Sequence, residues 1–201
     1  MLAARIAVPT IMAQQQAIRP PDGLFSPPRR IDAIADLFAN VWQFGYVTSD
    51  LDRAIGFMAE RFGLEHCLKL PTAGATFLIG DEPAEWEARF AMGARGGTII
   101  ELIEPVAGEV DFYRRLLPDD GSFAVRFHHL AVFIAPGEDE WERMGALLDA
   151  SGLRYDYTVL IPDRVRAGYV DTSAELGHWL EICQLQREDI EFFGSLASDS
   201  A

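Results

Sequence analysis

Two stretches decide the fold: VWQFGYVTSDLDRAIGFMAERFG at residues 41–63 and FHHLAVFIAPGEDEWERMGALLDASG at residues 127–152. Each begins with an apolar run of strand length and passes through a short polar turn into a helical pattern. In the first, Ser49 or Asp50 can cap a helix in which Leu51, Ile55, Met58 and Phe62 recur at helical spacing, and Gly63 sits where a left-handed C-cap belongs. In the second, the helix is expected over 138–150 with Trp141, Met144, Leu147 and Leu148 turned inward, and Gly152 ends it. Strand-like stretches follow at 64–70, 76–79, 86–92 and 98–104 in the first case, and at 153–159, 165–171 and 178–185 in the second. Strand, helix and a series of strands thus occur twice, the pattern of an internally duplicated βαβββ unit. The boundaries expected are 41–106 and 125–186 for the two modules, with a linker at 107–124 that carries a short helix at 111–117. An extension or strap at 1–40 and a tail at 187–201, with a short helix at 189–196, complete the chain. Pro9 interrupts the apolar N-terminal stretch and no convincing cleavage site flanks it, so a strap is preferred there to a signal peptide.

Polar residues inside these strands carry the functional signal. Side chains two apart share a face of a strand. By that rule Gln43 lies with Val41, Gly45 and Val47, and His129 with Phe127, Ala131 and Phe133. Glu101 lies between Ile99 and Ile103, and Glu181 between Trp179 and Cys183. A carboxylate on an apolar face costs several kcal/mol, on the order of a lost ion pair, unless it is paired or binds a cation. The four residues occupy two equivalent positions of the repeat: Gln43 and Glu101 are 58 apart, His129 and Glu181 are 52 apart. A residue with little or no side chain, Gly45 or Ala131, follows two places after Gln43 and His129. A shared site accounts for this coincidence better than four separate packing accidents.

Composition bounds the rest. With 49% hydrophobic residues in 201, the chain can bury a real core. No apolar run reaches the roughly 18 residues of a membrane span. The formal net charge of −14 repels phosphate backbones, so a nucleic-acid partner is not expected, nor is a membrane partner. The two cysteines, Cys67 and Cys183, are distant and unpatterned, which fits a reducing, cytoplasmic setting. Lys69 is the single lysine and so the single Schiff-base candidate.

The segments QFGYVTSDLDRAI with RFGL after it, TIIELIEP, RFHHLAVFI and HWLEICQL resemble the glyoxalase, or vicinal oxygen chelate, superfamily over about three quarters of the chain. That resemblance implies an α+β fold in which two βαβββ modules form a curved mixed sheet around a central cavity, and a homodimer. It also implies a divalent metal ion held by Gln43, Glu101, His129 and Glu181. The Gln, Glu, His, Glu set resembles the metal site of lactoylglutathione lyases. ELIEP and FYRRLLPDDGSFAVRFHHLAV are more similar to the methylmalonyl-CoA-epimerase-like branch, where the first strand usually offers histidine rather than Gln43.

Three oxygen donors and one imidazole suit Zn, Ni, Co, Mn, Fe or Mg. An ion of this kind polarises a carbonyl and eases loss of the proton beside it. The function implied is proton transfer in a small-molecule substrate by a metal-dependent isomerase, epimerase or lyase. The resemblance to the lyases makes Glu181 the catalytic base, with Glu101 second. Two alternatives stand beside it: a ring-cleaving dioxygenase, which needs two histidines and a carboxylate, and a non-catalytic binder, which needs no converging acids. Of the other histidines, His128 and His178 fall on the opposite faces by alternation, and His66 follows the first helix. Arg126 and Arg166 are candidates for pairing a substrate carboxylate, and Tyr169 and Trp179 for lining the substrate pocket.

Overall fold

The computed structural model describes residues 28–198 apart from 65, 73, 96 and 97. The stretch weighed above as a signal peptide lies outside the described residues, as does the end of the tail. A 3-10 helix at Ile34–Asn40 leads into β1 (Val41–Thr48) and α1 (Leu51–Phe62). The first half continues with β2 (Cys67–Leu70), β3 (Thr76–Ile79), β4 (Glu82–Ala84), β5 (Trp86–Arg95) and β6 (Thr98–Gly108). After α2 (Asp111–Arg114) come β7 (Val125–Ile134), α3 (Glu138–Ala150), β8 (Tyr157–Ile161) and β9 (Val165–Val170). The chain then passes through α4 (Ser173–Leu176) and β10 (Trp179–Leu185) to α5 (Arg187–Ser198).

Local chemistry sets the ends of α1. The Asp50 carboxylate accepts a hydrogen bond from the Arg53 amide at 3.0 Å, and the Leu51 amide donates to Glu104 at 2.9 Å. Gly63 closes the helix in the left-handed region at φ 69°. Leu51, Ala54 and Met58 are the buried positions. Phe62, expected inside, is 62% exposed and meets Phe57 edge-on at the solvent side.

The strands lie in the order β2-β5-β6-β1-β7-β10-β9-β8-β3-β4 in a single mixed sheet. β1 and β7 pair antiparallel at its centre; each has the last strand of its own half, β6 or β10, parallel on its other side. The duplication holds residue by residue. Gln43 is opposite Ile99 and Gly45 opposite Glu101, just as His129 is opposite Trp179 and Ala131 opposite Glu181. α1 and α3 each cover one half of the convex face, over Ala91 and Leu102 in one cluster and Val132, Leu180 and Ile182 in the other. Ile31 and Leu37, from the segment before β1, join the second cluster. The concave face holds a third, aromatic-rich core.

One strand departs from a simple pair of modules. β3, read from the sequence among the strands of the first half, pairs with β8 of the second half, and β4 pairs with β3 at that edge. Phe77 explains the crossing: it stacks on Trp86 at 5.1 Å and on Tyr157 at 5.7 Å, one aromatic from each half.

Two β-bulges reset the alternation of side chains at the centre. Val41 pairs with Val132 but Gln43 with Ala131, so Trp42 is an extra residue in β1; Gly45 pairs with His129 but Tyr46 with Phe127, so His128 is an extra residue in β7. Trp42 and Gln43, and likewise His128 and His129, therefore all turn toward the concave side. Val41 and Phe127 are displaced to the convex side. There Val41 packs in the α3 cluster, and Phe127 meets Phe44, Tyr46 and His178. The expectations that Val41 shares a face with Gln43, that Phe127 shares one with His129, and that His128 faces away from His129 are corrected by these bulges.

Candidate metal centre

Gln43, Glu101, His129 and Glu181 stand on the four central strands and meet on the concave face. They are 1%, 5%, 0% and 4% exposed. One ligand atom from each of Glu101, His129 and Glu181 lies within 4.8 Å of the others, close enough for all three to hold one metal ion. His129 Nε2 is 3.4 Å from Glu101 Oε2 and 3.2 Å from Glu181 Oε2. The Gln43 amide nitrogen donates to Glu101 at 3.0 Å, and Gln43 lines the same cavity as the two carboxylates.

The approach of β1 to β7 makes this convergence possible. A Cβ at Gly45 would lie 1.9 Å from His129 Cε1 and 2.2 Å from its Nε2, so only glycine admits the imidazole there.

Three buried atoms of this cluster, Gln43 Oε1, His129 Nε2 and Glu181 Oε2, make no hydrogen bond. Buried polar atoms are normally satisfied, and orphans on side chains that meet at one site among the described residues call for a positive charge there. The donor set thus fits a divalent ion: an amide oxygen, an imidazole nitrogen and two carboxylates, with no thiolate. Burial, and then repulsion from Glu181, hold Glu101 well above the usual carboxylate range, against the pull of the Gln43 amide. Burial also pushes Glu181 up. The His129 ring, the Tyr169 hydroxyl and the Cys183 thiol beside it pull the other way and leave it low.

A cavity of about 110 Å³ opens over the carboxylates. Gln43, Glu101 and Glu181 form its polar floor, and Trp42, Trp86, Phe90, Met92 and Phe193 are among its walls. Tyr169 lines it as expected, and the Tyr113 hydroxyl donates to the Tyr169 hydroxyl at 3.0 Å. Trp179 does not line it. That ring is buried against Phe112 and stacks parallel to His128 at 6.0 Å, filling the core beside the site.

The two arginines expected to meet a substrate carboxylate lie elsewhere. Arg126 is exposed and bonds the carbonyl of Val125 at 3.3 Å. Arg166 alternates outward from Ala167, where Glu138 takes its guanidinium at 2.9 and 3.0 Å over the Trp141 ring. The lone Lys69 is salt-bridged to Asp52 on the surface. Cys67 and Cys183 are free thiols.

Sequence reading missed Trp42 and His128, which bulges bring in, and Tyr113 and Phe193, which arrive from the linker and the tail. The aromatic content of the linker and tail was the one available signal for the last two.

No protein-family model matches this chain, and no curated protein does. Solved structures do. A methylmalonyl-CoA epimerase from Mycobacterium tuberculosis aligns with a TM-score of 0.50 at 17% identity, covering 81% of this chain and 97% of that one. A hypothetical protein from Bacillus halodurans aligns with a TM-score of 0.50 at 16% identity, over 73% of this chain and 94% of that one. These likenesses show the fold: a curled mixed sheet of the vicinal oxygen chelate type. Among the described residues, no helix is long and apolar enough to cross a membrane.

Proposed function

We propose that this chain is a divalent-metal-dependent isomerase or epimerase that moves a proton at the carbon beside a carbonyl of a small molecule. The observation that carries this reading is the buried meeting of Glu101, His129 and Glu181, ligand atoms within 4.8 Å of one another, with His129 Nε2 and Glu181 Oε2 left without hydrogen bonds. Gln43, His129 and the two carboxylates would hold the ion. When bound, it supplies Lewis acidity that stabilises negative charge on the substrate oxygens.

The residues of the chain supply the proton handling. Glu181 would take the proton from the carbon, and Glu101, whose ligand atom lies within 4.8 Å of it, would be the second carboxylate able to return one. Tyr169 orients Glu181, and Tyr113 orients Tyr169. The apolar walls exclude water that would otherwise compete for the proton.

The name of the Mycobacterium tuberculosis neighbour is consistent with this class of reaction. A ring-cleaving dioxygenase is less well supported. His128 is the one other histidine at the site, and its two ring nitrogens are engaged by Phe112 and His129. The homodimer implied by resemblance belongs to the same reading, and light scattering on the purified chain tests it.

The decisive experiment follows solvent deuterium into a carbonyl compound that binds the ion-loaded protein. Glu181→Gln is expected to keep the ion and lose the exchange. Unchanged exchange in that variant would remove Glu181 from the role of base.

A further inference from the structure

The walls of the cavity say what kind of molecule it takes. They are built by Trp42, Trp86, Phe90, Met92, Ile161 and Phe193. Among the described residues, no lysine, arginine or histidine lines it, and its floor already carries two carboxylates. An anionic group on the far part of a ligand would meet apolar rings and no cation to pair with. The cationic side chains within two residues of the lining positions Leu70, Phe90, Val165, Ala167 and Leu185 are committed elsewhere: Lys69 to Asp52, Arg89 to Glu104, Arg164 to Asp189, Arg166 to Glu138 and Arg187 to Glu191. The cavity is also small. A ring-sized ligand occupies a void of roughly 150 Å³, more than the 110 Å³ present.

One wall comes from outside the sheet. Phe193, from α5 at the end of the chain, rests on Trp42 at a ring distance of 5.5 Å. Resting on the ion-dependent reading above, we infer that the substrate is an apolar molecule with its pair of oxygens at one end. A short alkyl tail lies along Trp42, Trp86 and Phe90, and Phe193 sets the limit of tail size.

A hydroxamate series with one chelating head tests this: aceto-, hexano- and benzohydroxamate, and the monohydroxamate of glutaric acid. Each is titrated into cobalt(II)-loaded protein by calorimetry, and into ion-free protein by tryptophan fluorescence. Hexanohydroxamate is expected to bind at least tenfold tighter than acetohydroxamate, since each buried methylene contributes about fourfold. The glutaric compound, of similar length with a terminal carboxylate, is expected to be at least tenfold weaker than hexanohydroxamate. Phe193→Ala should tighten benzohydroxamate severalfold and leave acetohydroxamate unmoved. Equal affinity for all tails, or preference for the carboxylate, would overturn the inference. Failure of cobalt to bind refutes the ion reading instead, and the ion-free ranking still decides the question of the tail.

A second observation stands independently. His128 Nε2 is 3.1 Å from the Phe112 carbonyl oxygen, and His128 Nδ1 is 3.0 Å from His129 Nδ1. A carbonyl only accepts, so His128 must carry its proton on Nε2. A neutral His128 then offers a lone pair at Nδ1, to which His129 donates from its own Nδ1. The His129 Nε2 lone pair is thereby aimed at the space between Glu101 and Glu181, and that nitrogen makes no hydrogen bond.

The geometry points to His128 as a positioning residue that fixes the tautomer of its neighbour for ion binding. In zinc-loaded protein, long-range 1H–15N correlations should show a protonated Nδ1 on His129, and on His128 a protonated Nε2 with a bare Nδ1. His128→Leu is expected to weaken zinc binding about 10- to 100-fold. His128→Gln, whose amide can donate to Phe112 and accept from His129, should restore it to within a few-fold. A proton on His128 Nδ1, or a folded His128→Leu with unchanged zinc affinity, would refute this role. If the leucine variant does not fold, the tautomer spectrum of the native chain decides alone.

Discussion

Gly45→Ala is the sharpest probe of the centre. The added methyl would lie 1.9, 2.2 and 2.4 Å from three atoms of the His129 ring, against an ordinary contact of 3.4 Å or more. The imidazole must therefore retreat by about 1.5 Å, or β1 and β7 must part by as much. A metal–ligand bond tolerates about 0.2 Å, so the ion should lose its nitrogen ligand and bind at least a hundredfold more weakly. Overpacking of this kind costs about 1–3 kcal/mol, which lowers Tm by roughly 2–12 °C for a chain of this size.

Gly93→Ala separates the two effects. Its methyl would press on Cys67 Sγ and the His66 carbonyl at 2.9 Å, away from the centre. That variant should lose stability but bind zinc normally. Calorimetric titration with zinc and thermal melts by circular dichroism report both quantities. A Gly45→Ala protein that binds zinc within a few-fold of the native chain would refute the reasoning that ties this glycine to ligand placement.

Other consequences can be measured on the same protein. Tyr169→Phe strands the buried Tyr113 hydroxyl and removes a partner of Glu181, so a loss of about 1–3 kcal/mol is expected in denaturant unfolding; no loss would mean the pair is idle. Glu101 is held well above the ordinary carboxylate value of about 4.5, so in the ion-free protein its stabilising protonation is complete below about that pH and is lost as pH rises through its folded value. The Tm of ion-free Glu101→Gln should then exceed that of the ion-free native chain by a margin that grows with pH above 4.5, and zinc should abolish the difference; a constant margin would contradict the assignment. Asp189 is 2% exposed and anchors α5 through Arg164, so Asp189→Asn should raise amide exchange in residues 187–198 and leave the central strands protected; unchanged exchange would remove the ion pair as the anchor.

The centre was legible in sequence because duplication repeats a polar signal. Gln43 with Glu101 and His129 with Glu181 stand at equivalent places in apolar strands, and the register of β1 with β6 and of β7 with β10 reproduces that equivalence. Strict alternation failed at Trp42 and His128, since a bulge inserts a residue without any side-chain signature of its own. The pairing of β3 was hidden for a different reason. Its partner β8 is far along the chain, and what holds it there is the stacking of Phe77 between Trp86 and Tyr157. Arg166 looked free for a substrate because its captor, Glu138, sits on a helix over the convex face, where alternation gives no warning of an ion pair.

The proposed activity requires one property: four side chains of a single chain gripping one divalent ion. Metal analysis of the purified protein after dialysis against zinc measures it directly, with His129→Ala beside it. One equivalent per chain, lost in the variant while its circular dichroism is retained, is the expected result. A native chain that takes up no zinc, cobalt, nickel or manganese at any ratio, or a His129→Ala protein that takes up as much as the native one, would contradict it.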